Sequence, residues 1–70
     1  MNNMQIKMAI KENLRYRKVG LEPDSREERL TVNRLTMDAK KQMKTARESL
    51  PGMTRAEAWA MVRDQFLTAR

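Results

Sequence analysis

RLTVNRL, residues 29–35, is the stretch that most constrains this fold, because it satisfies two different periods. Drawn as a helix, Val32 and Leu35 extend an apolar stripe that continues through 39, 43, 46 and 50 without a break. Ser25 and Glu28 then stand at the spacing of a capping box, with Asp24 as a second candidate cap. That reading gives a long helix, a turn and a short helix, an all-α three-helix bundle if the N-terminal segment is helical too. Drawn as a strand, Leu30 and Val32 share one face while Arg29, Thr31 and Asn33 share the other. Two β-branched residues within four positions favour the strand locally. The helix would then begin at Thr36, capped by its hydroxyl. A lone strand leaves its backbone groups unpaired, so it needs a twin from a second subunit.

Size bears on that requirement. Seventy residues bury a small core, and chains of this length usually need disulfides, a metal or a second subunit. Cysteine and histidine are both absent, which removes disulfides and thiolate or imidazole metal sites. No acidic loop of the calcium-binding kind is present. A homodimer without cofactor or metal is the expectation that remains. The formal net charge is +6, doubled in a dimer, and it favours an anionic partner such as nucleic acid. No apolar run approaches a membrane span, and the polar N-terminus lacks a signal-peptide core. A cytoplasmic location with no membrane association is therefore expected.

Along the chain, residues 1–28 read as a basic N-terminal arm with an acidic linker. Over 1–21, Lys7, Lys11, Arg15, Arg17 and Lys18 stand against a lone Glu12, and the acidic linker over 22–28 is punctuated by Pro23. Met4, Ile6, Met8 and Ile10 alternate as in a half-buried strand, whereas Ile6, Ile10 and Leu14 fall at helical spacing. An arm that orders on contact with a partner is the third option. Tyr16, between Arg15 and Arg17, is the one aromatic interleaved with basic residues.

The C-terminal part is plainer. Pro51 and Gly52 break the chain, and Thr54 stands three residues before Glu57, again the capping-box spacing. A helix over about 54–68 follows, with Trp59, Val62 and Phe66 on one face and Met61 and Leu67 widening it. Ahead of it Ala39, Met43, Ala46 and Leu50 form one face of another helix. Its other side carries Lys40, Lys41, Lys44 and Arg47, read as the solvent face.

Residues 29–70 resemble the ribbon-helix-helix (MetJ/Arc/CopG) family of DNA-binding proteins, through RLTVNRL, the spacing from Thr36 to Gly52, and the GMTRAEA run. The resemblance implies a mostly α fold with one short strand, paired antiparallel across a homodimer and laid in the major groove of double-stranded DNA. It implies base readout by Arg29, Thr31 and Asn33, with Arg34 added if a bulge turns it outward. It implies a phosphate held at the start of the last helix by Met53, Thr54 and Arg55. Leu30, Val32, Trp59, Val62 and Phe66 would form the dimer core. The implied function is transcriptional repression or autoregulation. A basic arm ahead of the domain is similar to plasmid-partition centromere binders, whose arm contacts a partner protein. The alternative is a small helical interaction module, an inhibitor or adaptor, for which seven methionines supply an adaptable surface. No nucleophile–base pair, compact acidic constellation or glycine-rich phosphate loop is present, so catalysis is not expected.

Overall fold

The structure, a computed structural model, describes residues 2–17 and 20–67. Three α-helices account for most of them: α1 Asn3–Arg17, α2 Arg26–Ser49 and α3 Arg55–Val62, the last continued by a single 3-10 turn Arg63–Gln65. No strand occurs among the described residues, so the ribbon-helix-helix expectation is overturned and the all-α alternative holds. The helix expected over about 54–68 is shorter, its α-helical part ending at Val62, and Lys18 and residue 68 lie outside the described residues.

The reason lies in residues 29–35, which are the second and third turns of α2. A helix satisfies its own backbone donors and acceptors within the segment, whereas the strand needed a second chain to do so. Val32 is 1 % exposed and continues into buried Thr36, Ala39 and Met43, while Leu30, assigned to the same strand face as Val32, is 55 % exposed. Thr36 caps nothing. Its hydroxyl donates to the Val32 carbonyl one turn back at 2.7 Å, which lets a buried threonine sit inside the helix.

Each helix start is marked by a polar residue and an acidic or amide residue three positions on. Asn2 Oδ1 accepts from the Gln5 N–H while Gln5 Oε1 accepts from the Asn2 N–H, both at 2.9 Å. Thr54 and Glu57 form the same reciprocal box on α3. Ser25 Oγ accepts from the Glu28 N–H, but the Glu28 carboxylate is directed elsewhere. Such caps contribute on the order of 1 kcal/mol each.

The three helices share one core. Ile6, Ile10 and Leu14 of α1 meet Val32, Ala39 and Met43 of α2 and Ala58, Trp59, Val62 and Phe66 at the C-terminal end. The expected boundary after residue 28 falls inside α2, and the N-terminal segment is a packed helix rather than an arm standing apart. Met61, placed on the apolar stripe by sequence, is 58 % exposed, whereas Leu67 packs against the core. The molecule measures 40 × 24 × 16 Å, a thin slab whose long axis is close to the length of α2 at about 1.5 Å per residue.

Candidate nucleic-acid interface

The residues expected to read bases do not form one surface. On α2, Arg29 and Asn33 fall on one edge, while Arg34 and half-buried Thr31 turn toward the other. The strand geometry that would have placed them side by side is absent. Val32, Trp59, Val62 and Phe66, expected at a dimer interface, lie in the core of the single chain.

The phosphate residues fare differently. Met53, Thr54 and Arg55 line an open cleft of about 630 Å³ between α2 and the start of α3. Its α2 wall carries Lys40, Lys44 and Arg47, three of the four side chains that sequence assigned to solvent. Glu48 is the one carboxylate on the lining. Arg47 Nε donates to the Met53 carbonyl at 3.2 Å, and Arg55 donates to Asn3 Oδ1 of α1. Lys40 and Lys44 have no acidic group within ion-pair distance among the described residues. The helix end itself is partly occupied. The box uses the N–H groups of Thr54 and Glu57 and brings the Glu57 carboxylate to the positive end of α3. Positive charge in the cleft therefore comes chiefly from the four cationic side chains.

These cations belong to a longer pattern. Arg26, Arg29, Lys40, Lys44 and Arg47, with Asn33 between, follow one edge of α2 at steps that keep them aligned on a 3.6-residue helix. One acidic residue, Glu48, borders that edge at its C-terminal end. The opposite edge mixes Glu27, Arg34 and Asp38. The signal was present in the sequence as a one-sided charge period, visible only once α2 was known to run unbroken through residues 29–35.

A second, smaller groove of about 310 Å³ lies between α1 and α2, where Lys7, Lys11 and Arg29 surround Asp24 and Glu28. Here the two carboxylates are matched by Arg15 and Lys11, with Lys7 and Arg29 beside them on the lining. Arg15 grips Glu28 with two hydrogen bonds, Nε to Oε2 at 3.2 Å and Nη2 to Oε1 at 3.1 Å. Arg15 also reaches Asp24 at 3.1 Å, joined there by Lys11 at 3.5 Å. Asp24 adopts a left-handed backbone, φ 61°, and its N–H donates to Glu28 Oε1 at 3.0 Å. The Arg15 hydrogen bonds, followed by the Asp24 N–H, hold the Glu28 carboxyl below its usual pKa. The hydrogen bonds to Glu28 raise that of the Arg15 guanidinium.

No group of three or more potential metal ligands occurs among the described residues, and no helix is long and apolar enough to cross a membrane. Comparison with protein-family models, with curated proteins and with solved structures gave no match to this chain.

Proposed function

We propose that this chain is a small helical module that binds double-stranded DNA through the phosphate backbone, using the basic edge of α2 and the cleft at its C-terminal end. The observation that carries the reading is the one-sidedness of α2, with five cations along one edge and Glu48 the one carboxylate bordering it. From Arg29 to Arg47 that edge runs about 27 Å, enough to follow phosphates along roughly eight base pairs of one strand. A duplex fits better than a single strand. Trp59 and Phe66 are buried, which leaves Tyr16 as the one exposed aromatic among the described residues and no stacking platform. With Arg29 and Arg34 on different edges, the contacts position the protein rather than read bases. The role is one of binding, not catalysis, and it fits a cytoplasmic location.

Anisotropy of a labelled duplex, titrated from about 50 to 200 mM salt, tests this directly. The expected plot of log affinity against log salt is linear, with a slope of about −4 to −5 for four to six phosphate contacts. A flat plot, or equal weakening by Arg34→Gln and by Lys40→Gln/Lys44→Gln, defeats the proposal.

A second reading, the helical interaction module, is favoured by a specific observation. Met4 and Met8, one turn apart on the outer side of α1, are 63 % and 49 % exposed, and Leu30 and Met37 are similarly exposed on α2. A partner protein or a second copy of the chain would meet the fold there. Sedimentation of the chain alone separates the two, because a homodimer that dissociates on Met4→Gln/Met8→Gln places the contact on α1.

A further inference from the structure

We propose that the cleft between α2 and α3 is a seat for one phosphate group, filled in the complex by a phosphate of the DNA backbone. The source of the ligand rests on the DNA-binding reading; the seat itself rests on the cleft. Lys40, Lys44, Arg47 and Arg55 converge on it from two helices, against the single carboxylate of Glu48. Two of the four are already held in place. The Met53 carbonyl fixes Arg47 through Nε, leaving its Nη donors for a ligand, and Asn3 fixes Arg55. Donors positioned in advance lose less freedom on binding, and guanidinium donors match a phosphate in fork geometry. Lys40 and Lys44 stand one turn apart, where like charges oppose each other in a helix. An anion in the cleft relieves that repulsion. Elsewhere on the basic edge Arg29 lines the α1–α2 groove beside Asp24 and Glu28, so among these sites only the α2–α3 cleft gathers four cations against one carboxylate.

The test is amide and arginine side-chain NMR on the ¹⁵N-labelled full chain, titrated separately with inorganic phosphate and with a short duplex. Saturable phosphate shifts are expected at Arg47, Met53 and Arg55, with little change at Arg29 or Arg34. Lys44→Gln is expected to raise the half-saturating phosphate about tenfold, the effect of losing one charged hydrogen bond. Glu48→Gln is expected to lower it, and Arg29→Gln to weaken duplex binding while leaving the phosphate response intact. Shifts spread equally over Arg29, Arg34 and the cleft, or absent from the cleft, overturn the seat. Saturable phosphate binding in the cleft with no duplex binding keeps the seat, assigns it to a free phosphate ligand and removes the DNA reading.

Discussion

At its N-terminal end α2 meets α1 through Arg15, Lys11, Asp24 and Glu28, each of which faces an opposite charge, with Lys7 and Arg29 lining the groove beside them. At its C-terminal end it meets α3 beside Lys40, Lys44, Arg47 and Arg55, and that cleft has one carboxylate for four cations. Both junctions flank the same helix and bury the same kind of apolar contact. In the first, charge closes the hairpin: Glu28, with a side chain only 3 % exposed, keeps its ionised form because Arg15 and the Asp24 N–H surround it. In the second, charge is left unmatched by the fold. Unmatched charge of one sign is what an external anion would need.

The comparison breaks hardest at the shared core. Ile10 has no exposed surface and ties α1 to the rest, so Ile10→Ala is expected to cost about 2–5 kcal/mol. In a chain this small that loss removes most of the cooperative thermal transition seen by circular dichroism, and both junctions with it. The double change Lys40→Gln/Lys44→Gln is expected to weaken duplex binding about tenfold or more, near 1.4 kcal/mol, while the melting temperature holds or rises. If the melting temperature falls instead, those lysines serve the fold and the contrast between the junctions is lost.

Thr54→Ala removes one cap of α3 at a cost of about 1 kcal/mol, or about 4–8 °C in melting temperature for a domain of this size. It should leave the salt dependence of duplex binding unchanged, since the box rather than a phosphate occupies the Thr54 and Glu57 amides. Acid gives the finest discrimination. The Glu28 pKa is lower in the folded chain than in the unfolded one, so its contribution is complete above the ordinary carboxylate range. It is lost as pH falls through the depressed value. A melting-temperature profile from pH 7 down to about 3 should therefore fall less steeply for Glu28→Gln, which starts lower, than for the unchanged chain.

Much of this fold was legible. The Thr54–Glu57 box, the break at Pro51 and Gly52, and the Trp59, Val62 and Phe66 face all follow from local spacing. So did the stripe from Val32 to Met43, which competed with the strand reading. The strand reading rested on β-branched Thr31 and Val32 and on alternation over seven residues. Both are weak cues beside an apolar stripe that runs on for several turns. Thr36 misled for a physical reason: a threonine hydroxyl can cap a helix or bond back to the preceding turn, and only burial distinguishes them. At the N-terminus, Asn2 and Gln5 carried the box spacing that would have resolved α1 as a helix. The cleft was not legible, because its cations are separated in sequence from Arg55 and are joined by the turn, not by a motif.

The three local start signals also bear on how the chain reaches this state. Asn2, Ser25 and Thr54 each find their cap partner within three residues, so no helix depends on distant pairing to define where it begins. A helical chain built from such short-range instructions belongs with the fast folders, on the order of microseconds to milliseconds. The ribbon alternative would have tied folding to an encounter between two chains and made its rate depend on concentration. Refolding kinetics that do not change with dilution would be the dynamic counterpart of an unbroken α2.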